Sequence, residues 1–412
     1  MIGVQPYAKW WAVALCTQAL YASITGTPRG ISLAQREGRL VRVIGGGPPG
    51  KTAVGRATSL ASVLDRLYVL DGTDCRVKIF TRSGDHISTF GGCGDELGAL
   101  TRPIALEAVG NELRVTDASK GTVVYSLMGR YLYTVPGGRA VERMTPLRYG
   151  YELGAYAPRP YLLSGSLRGN QPWLRHVVLH PPSGRDDTLA AIPLDVVGWR
   201  TSSGTTTVRP SGFGDGGTFA VSGDSLIAIA DGFSGIVRWY ELSASGVRQL
   251  RTAKLPEAAR PITREDVARQ EARLQMPDGV MGWSGSAQSP GTRTTVRGGA
   301  TPGSFIRPPG KWSVATRALF SSDGELWVGA PRTVTAYGQR NGAVVTLSQS
   351  VENNLWTVFA MTGASYNVML PASVRLLAVH GNDIYVSSVD GRVKGLQVYT
   401  TTRSTLSAGN RR

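Results

Sequence analysis

Gly45 to Thr52 (GGGPPGKT) carry the spacing of a phosphate-binding loop: Gly45, four residues, then Gly50, Lys51 and Thr52. In such a loop backbone N–H groups cradle phosphates, with Lys51 and Thr52 meeting phosphate and metal. Asp71, ending the strand-like run LYVLD, would pose as a Mg²⁺-coordinating strand end. Asp71, Asp117 and Asp231 all close runs of the same design. Each carboxylate either accepts hydrogen bonds from the following turn or joins an acidic cluster able to hold Ca²⁺. Arg76, beside Asp71, favours the structural reading, since a guanidinium satisfies that carboxylate locally. His176 and His180 are four apart, but Val177 stands where a zinc protease needs Glu, and their segment reads as a strand. With no Gly-x-Ser-x-Gly elbow and no Cys–His pairing, His86 and His380 add no constellation. The residues assign no catalytic group, cofactor or metal site.

The elements around these residues decide between the readings. The glycine-rich stretch recurs, at Ile44 (IGGGPPGKTAVGRATS), Phe90 (FGGCGDELGALTRPIA) and Val296 (VRGGATPGSFIRPPGK), and only the first copy holds Gly-Lys-Thr. Only a weak helical stretch follows, and the βα alternation of a nucleotide-binding fold is missing. Instead, strand pairs repeat. LYVLD and RVKIF are followed by HISTF; LRVTD and TVVYSL by YLYTV; YLLSG (161–165) by RHVVLH. LIAIAD then precedes IVRWYEL, LWVGA precedes VTAY and AVVTL, and IYVSS precedes VKGLQVY. Their spacing, mostly about 45–60 residues, is that of a four-stranded propeller blade. A longer gap between the fourth and fifth copies holds one helix, Arg264 to Gln275, with Thr263 as cap, and a Gly/Ser/Thr/Pro-rich excursion over 278–309.

Composition narrows the class. The 412 residues include 52 Gly and 23 Pro, as many short strands and turns require, and 42% are apolar, enough for a sizeable core. The net charge of +16 favours acidic partners, but the arginines are scattered and form no basic block, so no specific nucleic-acid binding is expected. Lys9 and the uncharged run Trp10–Ile24 read as a signal peptide over 1–24, with a first strand or an uncleaved anchor as alternatives. No other segment is long and apolar enough to span a membrane. Loss of that leader would remove Cys16 and leave Cys75 and Cys93, as a bridge in an oxidising compartment or as two free thiols.

The stretch LYVLDGTDCRVKIFTRSGDHISTFGGCGDELGALTRPIAL resembles the NHL-repeat type of six-bladed β-propeller: strand ending in Asp, short turn, Arg, apolar strand, Gly turn. The second and fourth copies keep Asp117 and Asp231 but carry Thr122 and Ile236 for the arginine, and the rest have lost both. The resemblance implies an all-β, six-bladed propeller over 31–402 with an insert at 256–309. The leading strand at Arg39 to Ile44 would supply the outer strand of the last blade. It places Cys75 and Cys93 at one end of one blade, where a bridge is geometrically open. Such proteins are mostly binding or scaffold modules. The expectation is therefore a monomeric, periplasmic or extracellular protein whose loop face takes a protein or acidic polysaccharide partner. The alternatives are a lactonase-like hydrolase or lyase, or the P-loop NTPase.

Overall fold

The computed structural model describes residues 33–48, 50, 52–136, 141–156, 174–194, 196–200, 206–210, 215–266, 311–340, 343–391 and 393–403. The expected leader at 1–24, Lys51, the YLLSG stretch and most of the expected insert at 256–309 lie outside the described residues.

Four sheets are four-stranded antiparallel meanders in chain order. After β1 (Gln35–Ile44), the first sheet is β2 (Ala57–Val63), β3 (Arg66–Asp71), β4 (Arg76–Thr81) and β5 (His86–Gly91). The second is β6 (Pro103–Val109), β7 (Glu112–Asp117), β8 (Gly121–Ser126) and β9 (Tyr131–Pro136). The third is β10 (Val141–Pro146), β11 (Glu152–Tyr156), β12 (Leu174–His180) and β13 (Asp187–Pro193). A two-stranded ribbon, β14 (Val196–Arg200) and β15 (Thr206–Pro210), precedes the fourth. That sheet is β16 (Gly217–Ser222), β17 (Leu226–Asp231), β18 (Ile236–Ser243) and β19 (Gly246–Lys254).

The remaining strands are β20 (Arg317–Phe320), β21 (Leu326–Gly329), β22 (Arg332–Arg340), β23 (Ala343–Glu352), β24 (Leu355–Phe359) and β25 (Ser365–Met369). They continue with β26 (Val374–His380), β27 (Asp383–Ser388) and β28 (Leu396–Arg403). Eight strands form one sheet in the order β20-β21-β24-β25-β1-β28-β27-β26, with β22 and β23 a separate ribbon. Its two antiparallel runs meet where Gln35–Glu37 of β1 pair in parallel with Asn367–Met369 of β25. The rest of β1 runs antiparallel to β28, from Arg36 opposite Arg403 to Ile44 opposite Leu396. A strand early in the chain thus covers an edge that would otherwise template aggregation.

Burial on both faces of the central strands explains their near-continuous apolar runs. Leu67, Tyr68, Val69 and Leu70 of β3 are all buried. One cluster joins the first and second sheets, another the third and fourth, and another the fourth to the β20–β24 run. A further cluster joins the two runs of the eight-stranded sheet, and one returns from β27 and β28 to the first sheet. The first sheet thus meets the second, the third meets the fourth, the fourth meets the eight-stranded sheet, and that sheet returns to the first: an all-β, propeller-like arrangement. Trp239, Trp327 and Trp356 anchor it, fully buried. Gly129 shows how closely neighbours approach, since a Cβ there would lie 2.4 Å from the Phe90 ring of the first sheet.

Three expectations need correction. In the third repeat the second strand is Glu152–Tyr156, paired with both β10 and β12. Its buried Leu153 and Ala155 serve the core, but the run carries Gly154 and no terminal Asp, so it lacks the repeat's mark. In the fifth repeat VTAY does not follow LWVG in the sheet. Pro331, which has no N–H to give a ladder, leads the chain into the ribbon, and the sheet resumes at Leu355–Phe359 with Trp356 and Val358 buried. Third, no helix follows Thr52. The Val54 N–H donates to the Gly45 carbonyl at 2.8 Å, and the chain enters β2, so the strand-to-helix context of a P-loop is missing.

Candidate functional site

In an antiparallel meander the inter-sheet loops and the second-to-third-strand turns emerge at one end. Three strand-end carboxylates hold that end together. Asp71 is 1% exposed and accepts from the N–H groups of Gly55 (2.7 Å), Arg56 (3.0 Å) and Thr73 (2.9 Å), and from Lys78 Nζ (2.7 Å). Four donors fill the roughly four lone-pair sites of a carboxylate, leaving none for a cation. Burial alone would raise the Asp71 pKa. The Lys78 bond and the Thr73, Arg56 and Gly55 N–H groups outweigh it and hold the carboxyl below the usual range.

Asp117 repeats the device, accepting from Thr101 and Arg102 (both 2.7 Å), Ser119 (2.8 Å) and Lys120 (3.1 Å) N–H groups. Asp231 accepts from Phe233 (2.9 Å) and Ser234 (3.0 Å). Where Asp71 and Asp117 stand, the carboxylate welds the arriving loop to the turn beside it.

The cation paired with Asp71 is Lys78, not Arg76. Lys78 is 2% exposed, and its ammonium also meets Asp74 at 3.0 Å and the Ala53 carbonyl. Three acceptors match its three N–H bonds, the condition under which a buried ion pair is tolerated. A lysine between Val77 and Ile79, in a strand buried on both faces, was the available signal. The Cys75 and Cys93 sulfurs lie 2.10 Å apart, joining the β3–β4 turn to the loop that leaves β5.

Just after β19, where the insert is expected, the Thr263 hydroxyl accepts the Asp266 N–H (3.1 Å), and Asp266 accepts the Thr263 N–H (3.0 Å). Only the first turn, residues 264–266, of the expected helix is among the described residues. Asp266 also takes two bonds from Arg260 and one from Trp312 Nε1 (3.1 Å), so the two ends of the excursion are clamped together. The Arg260 guanidinium first, then the Thr263 N–H and Trp312, hold its carboxyl far below the usual range.

The eight-stranded sheet departs from this scheme at the same end. Where the first sheet pairs Ala57 with Asp71, the later runs pair Arg317 with Gly329 and Val374 with Ser388. The carboxylate is gone, and Arg317 and Arg375 stand on the first strands.

At the opposite end lies a cavity of about 270 Å³ between the two runs of that sheet. The Arg36 guanidinium stacks 3.9 Å from the centre of the Tyr366 ring, and the Tyr366 hydroxyl donates to Glu325 Oε2 at 3.0 Å. Burial, then the Glu325 charge, push Tyr366 up to about 12, so it stays a proton donor. With Asp323 and Asn382 at the rim and Trp327 in the lining, the cavity suits a polar, hydroxyl-bearing ligand. Sequence reasoning missed it because its residues come from four separate turns and strands.

The histidines do not converge. His176 is exposed on β12; His180 meets Tyr156 (2.6 Å) and Asp186 (2.8 Å); His86 meets Thr89 (2.8 Å). Burial, then Arg82, lower the His380 pKa. Among the described residues no three His, Cys, Asp or Glu side chains are grouped to hold a metal ion. Among the same residues no helix is long and apolar enough to cross a membrane.

No family model matches this chain, and no curated protein matches it. Among solved structures, it is similar to a Bacteroides fragilis protein described as exported, at 10% identity over 90% of this chain and 99% of that one, TM-score 0.45. The WD40 β-propeller domain of Doa1 aligns at 10% identity over 88% and 96%, TM-score 0.34. Sqt1 of Saccharomyces cerevisiae aligns at 9% over 90% and 100%, TM-score 0.33. These superpositions are loose, and the propeller-like arrangement rests on strand order and packing.

Proposed function

We propose that this chain is an exported, six-bladed, NHL-type β-propeller that binds an acidic partner at its loop end rather than transforming a substrate. Dividing the eight-stranded sheet at the β1–β25 pair gives two blades of four, β20-β21-β24-β25 and β26-β27-β28-β1, and six in all. The propeller then spans 31–402, with the insert at 256–309. The leader at 1–24 and the close cysteine pair suit a periplasmic or extracellular monomer.

One observation carries the binding reading. At the loop end Asp71 and Asp117 are consumed by backbone N–H groups, while Arg56, Arg102, Arg317 and Arg375 have no carboxylate partner among the described residues. Carboxylates turned inward leave a surface whose unmatched charge is positive, and such a surface draws polyanions. An acidic polysaccharide fits best, because the arginines are spread around the end rather than aligned in a groove for one strand of nucleic acid.

Retention on immobilised heparin, against neutral dextran, tests this. The parent elutes at higher salt than a propeller of matched charge, and Arg56→Glu with Arg102→Glu lowers that salt. Equal elution of parent and charge-reversed protein would refute it.

A further inference from the structure

Strands β20, β26 and β2 begin three successive runs, and each brings an arginine to the same end: Arg317, Arg375 and Arg56. Arg375 stands opposite Ser387 on β27. Directly paired residues of an antiparallel ladder point to one face, so guanidinium and hydroxyl lie side by side. Ser387 is 3% exposed, and among the described residues its hydroxyl has no hydrogen-bond partner; nor has the buried Nε of Arg375. Buried polar groups are ordinarily paired, so two unpaired neighbours ask for a ligand.

The charges around them agree. Burial, then the charge of Arg375, push Arg317 down to about 10, and burial, then Arg56, lower Arg375. Each cation is thus within reach of another. At the position where Asp71, Asp117 and Asp231 close their strands, these runs carry Gly329 and Ser388. Gly329 is obligatory, since a Cβ there would lie 2.8 Å from the Leu355 carbonyl and 3.2 Å from the Trp356 ring. A side-chain carboxylate cannot be fitted at that point.

We propose that Arg375, Arg317 and Ser387, with Arg56 at the rim, form an oxyanion-binding site at the inner margin of the ring. The donor set is two guanidinium forks and a hydroxyl, which matches a phosphate, a sulfate or a carboxylate. The inference rests on the loop end being the surface for an acidic partner, and it names the group that partner inserts.

Isothermal titration of the full chain with inorganic phosphate, sulfate and glucuronate, at constant ionic strength in chloride, tests it. At least one of the three binds with saturation at one site, and which one binds tells a phosphate or sulfate ester from a uronate. Arg375→Gln weakens that binding about tenfold or more, and adding Arg317→Gln abolishes it. Ser387→Ala, a small change that keeps the charge and the fold, weakens it less. Absence of binding by all three anions, or equal binding by the double variant, overturns the site. Heparin retention through Arg56 and Arg102 is a separate read-out. A parent chain that heparin does not retain, with small-anion binding intact, would sink the polysaccharide reading alone; heparin retention without small-anion binding would sink the oxyanion site alone.

Discussion

The first sheet and the last run of the eight-stranded sheet bring charge to the same end and treat it in opposite ways. In the first, Lys78 is buried with Asp71 and Asp74, and every N–H bond has an acceptor. In the last, Arg375 is partly buried beside the unpaired Ser387 hydroxyl, with no carboxylate opposite. The satisfied pair locks a loop, and the unsatisfied one is poised for a ligand. One repeated unit can thus be turned from scaffold to site by exchanging the residue at its strand end.

The largest effect is expected from breaking the satisfied pair. Asp71→Ala leaves Lys78 buried without its main partner and the Gly55 and Arg56 N–H groups unbonded. Stability should fall by about 3–5 kcal/mol in urea titration, and a loss below about 1 kcal/mol would mean the pair is ornamental. The acid limb sharpens this. The folded pKa of Asp71 lies below its unfolded value, so its contribution is present above about pH 4 and is lost as pH falls from there through the folded value. Asp71→Asn should flatten that limb. Next comes the link between Cys75 and Cys93, 18 residues apart; replacing both with Ser should cost about 3 kcal/mol, read as a lower Tm that reductant no longer changes. The smallest effect is Ser388→Asp, which restores a carboxylate to the last run. The Ser388 hydroxyl donates to Asp390, so the new carboxylate meets a like charge, and stability should fall by about 0.5–1 kcal/mol while phosphate binding weakens. Unchanged phosphate affinity would detach the anion site from the strand-end position.

The repeats were legible because each needs the same alternation and turn chemistry, and LYVLD or LIAIAD shows both in a few residues. ELGAY was hidden because burial, rather than an aspartate, defines it. The β22–β23 ribbon was misplaced because its two strands match the repeat's pattern while Pro331 takes them out of the sheet. The ends of the signature were partly readable: Asp71 and Cys75 announced themselves by spacing, but Lys78 displaced Arg76 as the partner because side-chain reach across a strand is not written in spacing. Arg317, Arg375 and Ser387 were invisible for a different reason. Arg317 lies about 60–70 residues before Arg375 and Ser387, and the meaning of all three lies in a missing partner, which only the packed sheets reveal.

Urea unfolding of Asp71→Asn and Arg375→Gln, side by side in neutral chloride buffer free of phosphate, sulfate and carboxylates, probes the contrast most directly. Asp71→Asn should lower stability, because it removes the charge that Lys78 needs. Arg375→Gln should raise it, because it removes a partly buried cation that lies within reach of Arg317 and Arg56 and has no carboxylate partner among the described residues. If Arg375→Gln lowers stability as much as Asp71→Asn does, Arg375 is already neutralised within the protein, and the contrast between the two regions is wrong.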